Sequence, residues 1–507
     1  MRHRAASQGS WLAWRLAGAL VLAVGCGDAA EAINGDPNAS LDDLITGCTE
    51  LDPTERLTTT YDFAPAVPDT LADWNLEGRW FYTDPVRGVS SVYLERVGKG
   101  LRVDHDDRLA VSFNDTELFA RFQLEDPDGP VIVAHRISNL RPDGTLRAER
   151  ATCRGGRCEM CVSKLVRATR YQNEGESRGL RLLGELHDPG WGPGYTFNVR
   201  VAGTLAYLIR QDGLHIIETA DPAHPVELGV YRRSELGYSN DVKLVEAGAR
   251  RYALIADSPV DIVDVTDPAQ PTLVAEIPEA AHTLFTETRN GKTHAYVGSL
   301  DGNCPVYDVT DPARPAKLGS YPAGASLVHD LSVADGIAYL NAWEQGFLVV
   351  DFQTPATPTL LGTWKPTPAG TSHSSWTTRV AGRHIALHGD EGYNAHLDIV
   401  DVDPASPTFM TPIASWQTRP WISIHNLMVF GSKAYFTHYQ DGIRVLDLAD
   451  PRAPAQLGYF NTWDPQSPTV TSAFFEGAVG LDVDVARKLV FVADSPRGLL
   501  ILADETP

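Results

Sequence analysis

At 507 residues the chain is long enough for two or three domains, and its 43% hydrophobic content supplies a sizeable core. A formal net charge of −22 argues against nucleic acid as a partner, because a polyanion is repelled by such a surface. The 43 glycines and 34 prolines suit a fold with many tight turns, and the balance fits a soluble, exported monomer.

In chain order, Arg2, His3, Arg4 and Arg15 precede or punctuate a short apolar stretch from Leu16 to Val24. A basic start, a short apolar middle and small residues at the end form a signal-peptide pattern, too short for a comfortable membrane span. The ending Leu22-Ala23-Val24-Gly25-Cys26 resembles a bacterial lipobox, with Ala23 where that family of signals usually has Leu. The resemblance implies a signal peptide over residues 1–25, lipid attachment at Cys26, and a lipid-anchored place in the cell envelope, periplasmic or at the cell surface. An ordinary signal peptide with an incidental Cys is the alternative. Residues 26–68 are acidic, small and rich in Asn, Asp, Thr and Pro, the composition of a flexible tether.

Residues 69–178 alternate as strands do. Gly78–Tyr82, Ser91–Glu95, Leu118–Phe122 and Val131–Ala134 are expected strands, with turn residues such as Asp126-Pro127-Asp128-Gly129 between them. They imply a small antiparallel sandwich or barrel, and Gly78-x-Trp80 is similar to the opening of a lipocalin-type barrel. The segment ends in a cysteine cluster, Cys153, Cys158 and Cys161. Its Cys-x-x-Cys spacing fits a metal or redox knot, but no second such pair completes a zinc site, so disulfides in an oxidising compartment are the favoured reading. Cys48, Cys153, Cys158, Cys161 and Cys304 are the candidates, an odd number that leaves one thiol over.

The remainder, 179–507, is organised around one recurring stretch. Asp261-Ile262-Val263-Asp264-Val265-Thr266-Asp267-Pro268 is an apolar, β-branched run halted by a turn. Related runs end in turns starting at 221, 267, 311, 354, 403 and 450, a repeat of 43 to 49 residues. Before each run lies an Ala-Tyr type strand such as Ala295-Tyr296-Val297, before that another such as Asp330-Leu331-Ser332-Val333, and after it a Leu-Gly strand such as Leu318-Gly319-Ser320-Tyr321. Four strands per unit and a period in the forties are the signature of a β-propeller.

The last copy, Gly498–Leu502, is followed by Thr506-Pro507 and lacks an outer strand, whereas Leu182–Leu186 matches that strand and precedes the first complete unit. Inserting it into the last unit closes a ring of seven blades and protects an open edge. The runs resemble the LVIVD repeat, a bacterial family of secreted β-propellers. The resemblance implies a fold and no fixed chemistry.

Register places Phe197, Asn240, His282, His329, Ser375, His425 and Leu481 at the start of the first strands, which the resemblance to a propeller puts innermost, around one mouth of a central channel. Three histidines in a ring, with His373 two residues before Ser375, are candidate ligands for a divalent metal, or polar residues lining a wet channel. A second column, Asp257, Asn341, His388, His438 and Asp494, is expected in exposed loops. The stretch His388-Gly389-Asp390-Glu391, with His396, is a second place for a cation. Asp221, Asp267, Asp311, Asp403 and Asp450, and the recurring Asp264, Asp308, Asp351, Asp401 and Asp447, are expected to be architectural. Trp343, Trp364, Trp376, Trp416, Trp421 and Trp463 are expected in blade packing, with a few of them facing a carbohydrate or peptide as the alternative.

The chain contains no nucleophile elbow, phosphate-cradling Gly loop or paired metalloprotease histidines. The reading that follows is an anchored binding or scaffold module for a protein, peptide or glycan. The alternative is a metal-assisted hydrolase or lyase that uses the channel histidines.

Overall fold

The structure is a computed structural model that describes residues 48–51 and 76–507, apart from 85–87, 98–99, 104–109, 114–116, 127–128, 139–145, 155–156, 172–173, 192–194, 233–238, 367–370, 392–395, 420–421 and 465–475. The expected signal peptide, the lipid-attachment residue Cys26 and nearly all of the tether lie outside the described residues. What is described is all-β with no α-helix, and it falls into two compact units that meet in sequence at Thr169/Arg170.

The first unit is a continuous antiparallel sheet of nine strands, and each of the four expected strands lies inside one of them: Gly78–Asp84, Gly88–Val97, Glu117–Asp126 and Gly129–Ser138. The strands of this unit form one hydrogen-bonded sheet, not two separately bonded ones. The strand Arg157–Arg167 joins its halves, pairing Arg167 with Trp80 and Cys161 with Cys48. The Arg167 guanidinium covers the buried Trp80 ring at 4.5 Å, and Gly78 makes room for it: a Cβ there would sit 3.1 Å from Arg167 Nη1.

Cys153 and Cys158 face each other across a hairpin and form a disulfide, and Cys161 is disulfide-bonded as well. The cluster is thus disulfide-bonded, the favoured reading of it. Cys304 corrects the list of disulfide candidates. It is a free thiol with no exposed surface, enclosed in an apolar cluster with Val306, Leu331 and Leu348.

The second unit contains seven antiparallel sheets of the expected four-strand order among the described residues, the sixth extended at its edge by Ser177–Arg178. In each, the β-branched run is the third strand, buried on both faces, so it reads as continuous hydrophobicity instead of alternation. The sheets form a propeller-like array. Successive first strands, Thr196–Ala202, Asp241–Ala247, Ala281–Arg289, Asp330–Ala334, Ser372–Val380, Leu427–Phe430 and Ala478–Asp484, are neighbours in that order, and the last also contacts the first.

Leu180–Leu186 completes the sheet that contains Gly498–Asp504, with Leu182 opposite Leu502 and Glu185 opposite Leu500. Apolar side chains of this sheet, among them Phe491, Leu499 and Ile501, share a core with Val199, Ala206 and Ile217 of the sheet that starts at Thr196.

The recurring aspartates have the architectural role expected of them. Asp264, Asp308, Asp351, Asp401 and Asp447 each accept the backbone N–H two residues on, and so do Asp221, Asp267, Asp311, Asp403 and Asp450. The glycine of the Leu-Gly strand lets neighbouring sheets interlock at these turns. A Cβ on Gly229 would stand 2.4 Å from the Pro268 carbonyl oxygen, one on Gly319 1.9 Å from that of Pro355, and one on Gly184 2.2 Å from that of Pro222.

Candidate functional site

The site grows from an irregularity in the first strands. Where several of these strands begin, the pairing with the second strand slips by one residue, leaving Phe197, His282, His373 and Val479 as the extra residue of a bulge. A bulge re-aims a side chain without ending the strand. The bulge residue in line with the other histidines is therefore His373 in the fifth sheet, and in the seventh the position is Val479. Ser375 lines the channel as expected, whereas Leu481, expected there too, does not. Ser375 pairs with His388 one step further in, where its hydroxyl accepts from Asn341 Nδ2 at 2.9 Å, and Leu481 is core.

With that correction, Asn240, His282, His329, His373 and His425 form a continuous row. Ring centroids are 3.9 Å apart for His282 and His329, 4.1 Å for His329 and His373, and 4.7 Å for His373 and His425. Backbone carbonyls orient the outer members. Asn240 Nδ2 donates to the His282 carbonyl at 3.1 Å, His282 Nδ1 to that of His329 at 2.8 Å, and His425 Nδ1 to that of Val479 at 2.8 Å. A carbonyl only accepts, so both imidazoles carry their proton on Nδ1. Asn240 Nδ2 also lies 3.2 Å from His282 Nε2.

In the central pair the contacts are looser: the His373 and His425 carbonyls face the rings of His329 and His373, but Nδ1 of His329 and both ring nitrogens of His373 make no well-formed hydrogen bond.

Above this row stand three residues that the sequence reading did not place together. Trp343, Glu391 and Tyr439 follow the second strands of three consecutive sheets, and Trp343 and Tyr439 bridge to the first strand of the next sheet at Ser372 and Ala478. Trp343 stacks on His329 with centroids 4.8 Å apart. Glu391 Oε2 lies 3.5 Å from His373 Nε2 and 3.9 Å from His329 Nε2, while the Tyr439 hydroxyl donates to Glu391 Oε1. The sequence reading had marked Glu391 within the local cluster at 388–391. What it lacked was the register that puts Glu391 in line with Trp343 and Tyr439.

The electrostatics are those of a site short of positive charge. Burial, reinforced by the neighbouring imidazoles, holds His329 and His373 well below the usual histidine range, and burial brings His425 down to about 4. Burial pushes Glu391 up to about 7, against the Tyr439 hydrogen bond and helped by Asp390. A carboxyl beside two neutral imidazoles, with no cation among the described residues paired to it, is a place where a bound cation would restore the ionised form.

Beyond the histidines the channel is lined by Asn198, Arg200, Asp241, Lys243, Thr283, Asp330, Trp376 and Asn426. Here the charges are matched. Asp241 accepts from Asn198 Nδ2 at 2.7 Å, from Thr283 Oγ1 at 2.9 Å and from Lys243 Nζ. Burial alone would raise its carboxyl, but Lys243, Arg200 and these bonds hold it below its usual value. Asp330 is pushed up to about 6 by burial.

The second column is another correction. Asp257, Asn341, His388, His438 and Asp494, expected in exposed loops, are all buried. They end the second strands, where side chains tie loops to neighbouring strands. Asp257 accepts from Ser239 Oγ at 2.7 Å, His388 Nε2 meets Ser372 Oγ at 2.8 Å, and His438 Nδ1 donates to the Ser423 carbonyl at 2.8 Å. Neither His388 nor His396 joins the group of ligand-type atoms formed by His329, His373 and Glu391. Among the tryptophans, Trp416 packs against Phe436, Trp463 is buried with Nε1 donating to Glu476 at 3.2 Å, and Trp376 lines the channel, while Trp421 lies outside the described residues.

Fold and site together define a repeat protein of propeller-like β-sheets with a histidine row in its central channel. The family model of the LVIVD repeat matches residues 193–232, 237–277 and 327–365. No curated protein matches the chain. Among solved structures, the computationally designed Ika8 protein is 10% identical with a TM-score of 0.42, covering 63% of this chain and 99% of that one. BamB from Moraxella catarrhalis is 10% identical with a TM-score of 0.40, covering 60% and 81% respectively.

Proposed function

We propose that the protein is a lipid-anchored binding module of the bacterial cell envelope. Its working part is a closed seven-bladed β-propeller over about residues 179–507 that receives a protein, peptide or glycan at the histidine end of its channel. The observation that carries this reading is the central pair His329 and His373, three of whose four ring nitrogens are buried beside the channel without a well-formed hydrogen bond. Folded proteins satisfy nearly all such atoms, so a buried set left unmatched beside a channel points to something bound there.

The cyclic order of the first strands, and Leu180–Leu186 lying against Gly498–Asp504, support the closed ring. The sequence pattern at Leu22–Cys26 supports the anchor, with residues 1–25 as signal, 26–68 as tether and 69–178 as a separate β domain. A second reading, a metal-assisted hydrolase or lyase, is favoured by Glu391 lying between the two unmatched imidazoles and held by Tyr439.

Glycan and peptide arrays probed with the full chain and with Asn240→Ala test the binding reading. Binding to a defined class, weakened about tenfold (~1.4 kcal/mol) by the substitution, supports it. No binding, or binding indifferent to Asn240, overturns it. Cleavage of a bound probe moves the assignment to the second reading. Cys26→Ser is expected to shift the protein from the membrane to the soluble fraction.

A further inference from the structure

We infer that His329, His373 and Glu391 are the protein ligands of a divalent transition-metal ion seated at the channel mouth. The inference rests on the channel-mouth reading above and names the chemistry of one occupant.

One ligand-type atom from each of the three residues falls within a group whose members all lie within 4.8 Å of one another. Two of the separations, 3.5 Å and 3.9 Å from Glu391 Oε2 to the two Nε2 atoms, approach the ~3.3 Å between donors that tetrahedral bonds of ~2.0–2.1 Å produce. An ion between these atoms would draw the two histidines in toward Glu391.

The donor set selects the metal. Two imidazoles with one carboxylate suit zinc-class ions, whereas calcium and magnesium take oxygen ligands throughout. Three protein ligands leave a position open for a further ligand, and two of them, His329 and His373, line the channel. Tyr439 is a positioning residue: its hydroxyl holds Oε1 of Glu391, leaving Oε2 turned to the histidines. Trp343 stacked on His329 fixes that ring from the other side. His373 Nε2 is buried, makes no well-formed hydrogen bond and is turned to Glu391 Oε2, which leaves it available as a ligand atom.

The test is a titration of the chelator-stripped full chain with Co2+, followed by visible absorption, and then with Zn2+ and Ca2+. Saturation at about one equivalent is expected, with d–d bands that Zn2+ removes and Ca2+ does not. His373→Ala and Glu391→Gln should weaken uptake tenfold or more, Tyr439→Phe about tenfold, and His224→Ala, an exposed control, not at all. Circular dichroism reports folding. If His373→Ala does not fold, Glu391→Gln, whose amide oxygen still accepts from Tyr439, decides. Absence of saturable uptake by the wild-type chain overturns the site, as does uptake unchanged in folded Glu391→Gln. Array binding without metal uptake overturns only the metal site. Metal uptake without array binding overturns the binding-module reading and leaves the site standing.

Discussion

Leu182 lies opposite Leu502 across an antiparallel strand pair, so a strand preceding the repeats is part of the same sheet as the last repeat. Of the residues around this seam, Leu180 and Leu502 are buried in one core and Leu183 and Leu186 pack on another. Deleting residues 177–186 is expected to remove the cooperative thermal transition of the second unit. A truncated chain that melts as the full one does, followed by circular dichroism, would sink the idea that this strand holds the array together.

The interlocking of sheets at Gly319 predicts a size effect from a single methyl group. Gly319→Ala places a Cβ 1.9 Å from the Pro355 carbonyl oxygen, and overpacking of this kind costs roughly 1–3 kcal/mol. Gly175→Ala meets nothing within 4 Å and should be near neutral. Urea midpoints of the two variants measure the difference.

Asp241 and Lys243 make a buried pair within the channel wall. Asp241→Ala leaves the ammonium buried beside Arg200 and strips Asn198 and Thr283 of an acceptor, with an expected loss of about 3–5 kcal/mol. Lys243→Met introduced together with it should recover part of that loss, so the double variant is less destabilised than the sum of the singles. Strict additivity in chemical denaturation would mean that the two side chains act independently.

His388 gives the second unit an acid-sensitive element. Burial lowers its folded pKa to about 3. The folded state thus favours the neutral ring. Its contribution is complete above the unfolded value near 6.5 and is lost as pH falls toward the folded one, roughly 2 kcal/mol by pH ~5. His388→Gln cannot take up a proton and keeps a polar partner for Ser372, so its stability should fall less over that window. Equal pH slopes for the two proteins would count against the assignment.

Cys304 should be silent to a maleimide in the native protein and react once the chain is unfolded without reductant, because its thiol is enclosed by Val306, Leu331 and Leu348. Rapid labelling of the native chain at this residue, read by peptide mass spectrometry, would contradict the packing described.

The sequence by itself determined the repeat, the four-strand order within each unit, the architectural aspartates and the partner of Leu182–Leu186. Each is written in local chemistry: β-branched runs, Asp before Pro, and Gly where the next turn presses close. It also carried His282, His329, His373 and His425 into view. Only the tertiary structure decided that His373 of the fifth sheet falls in line with the other histidines. One inserted residue at His373 turns a strand's side chains to opposite faces, and periodicity cannot register a bulge. The same holds for Glu391, Trp343 and Tyr439. They are far apart in sequence and unlike in chemistry, and they become neighbours because consecutive sheets present equivalent positions around one channel. Burial of His388 and Asp494 likewise follows from how sheets pack on one another, which no single repeat contains.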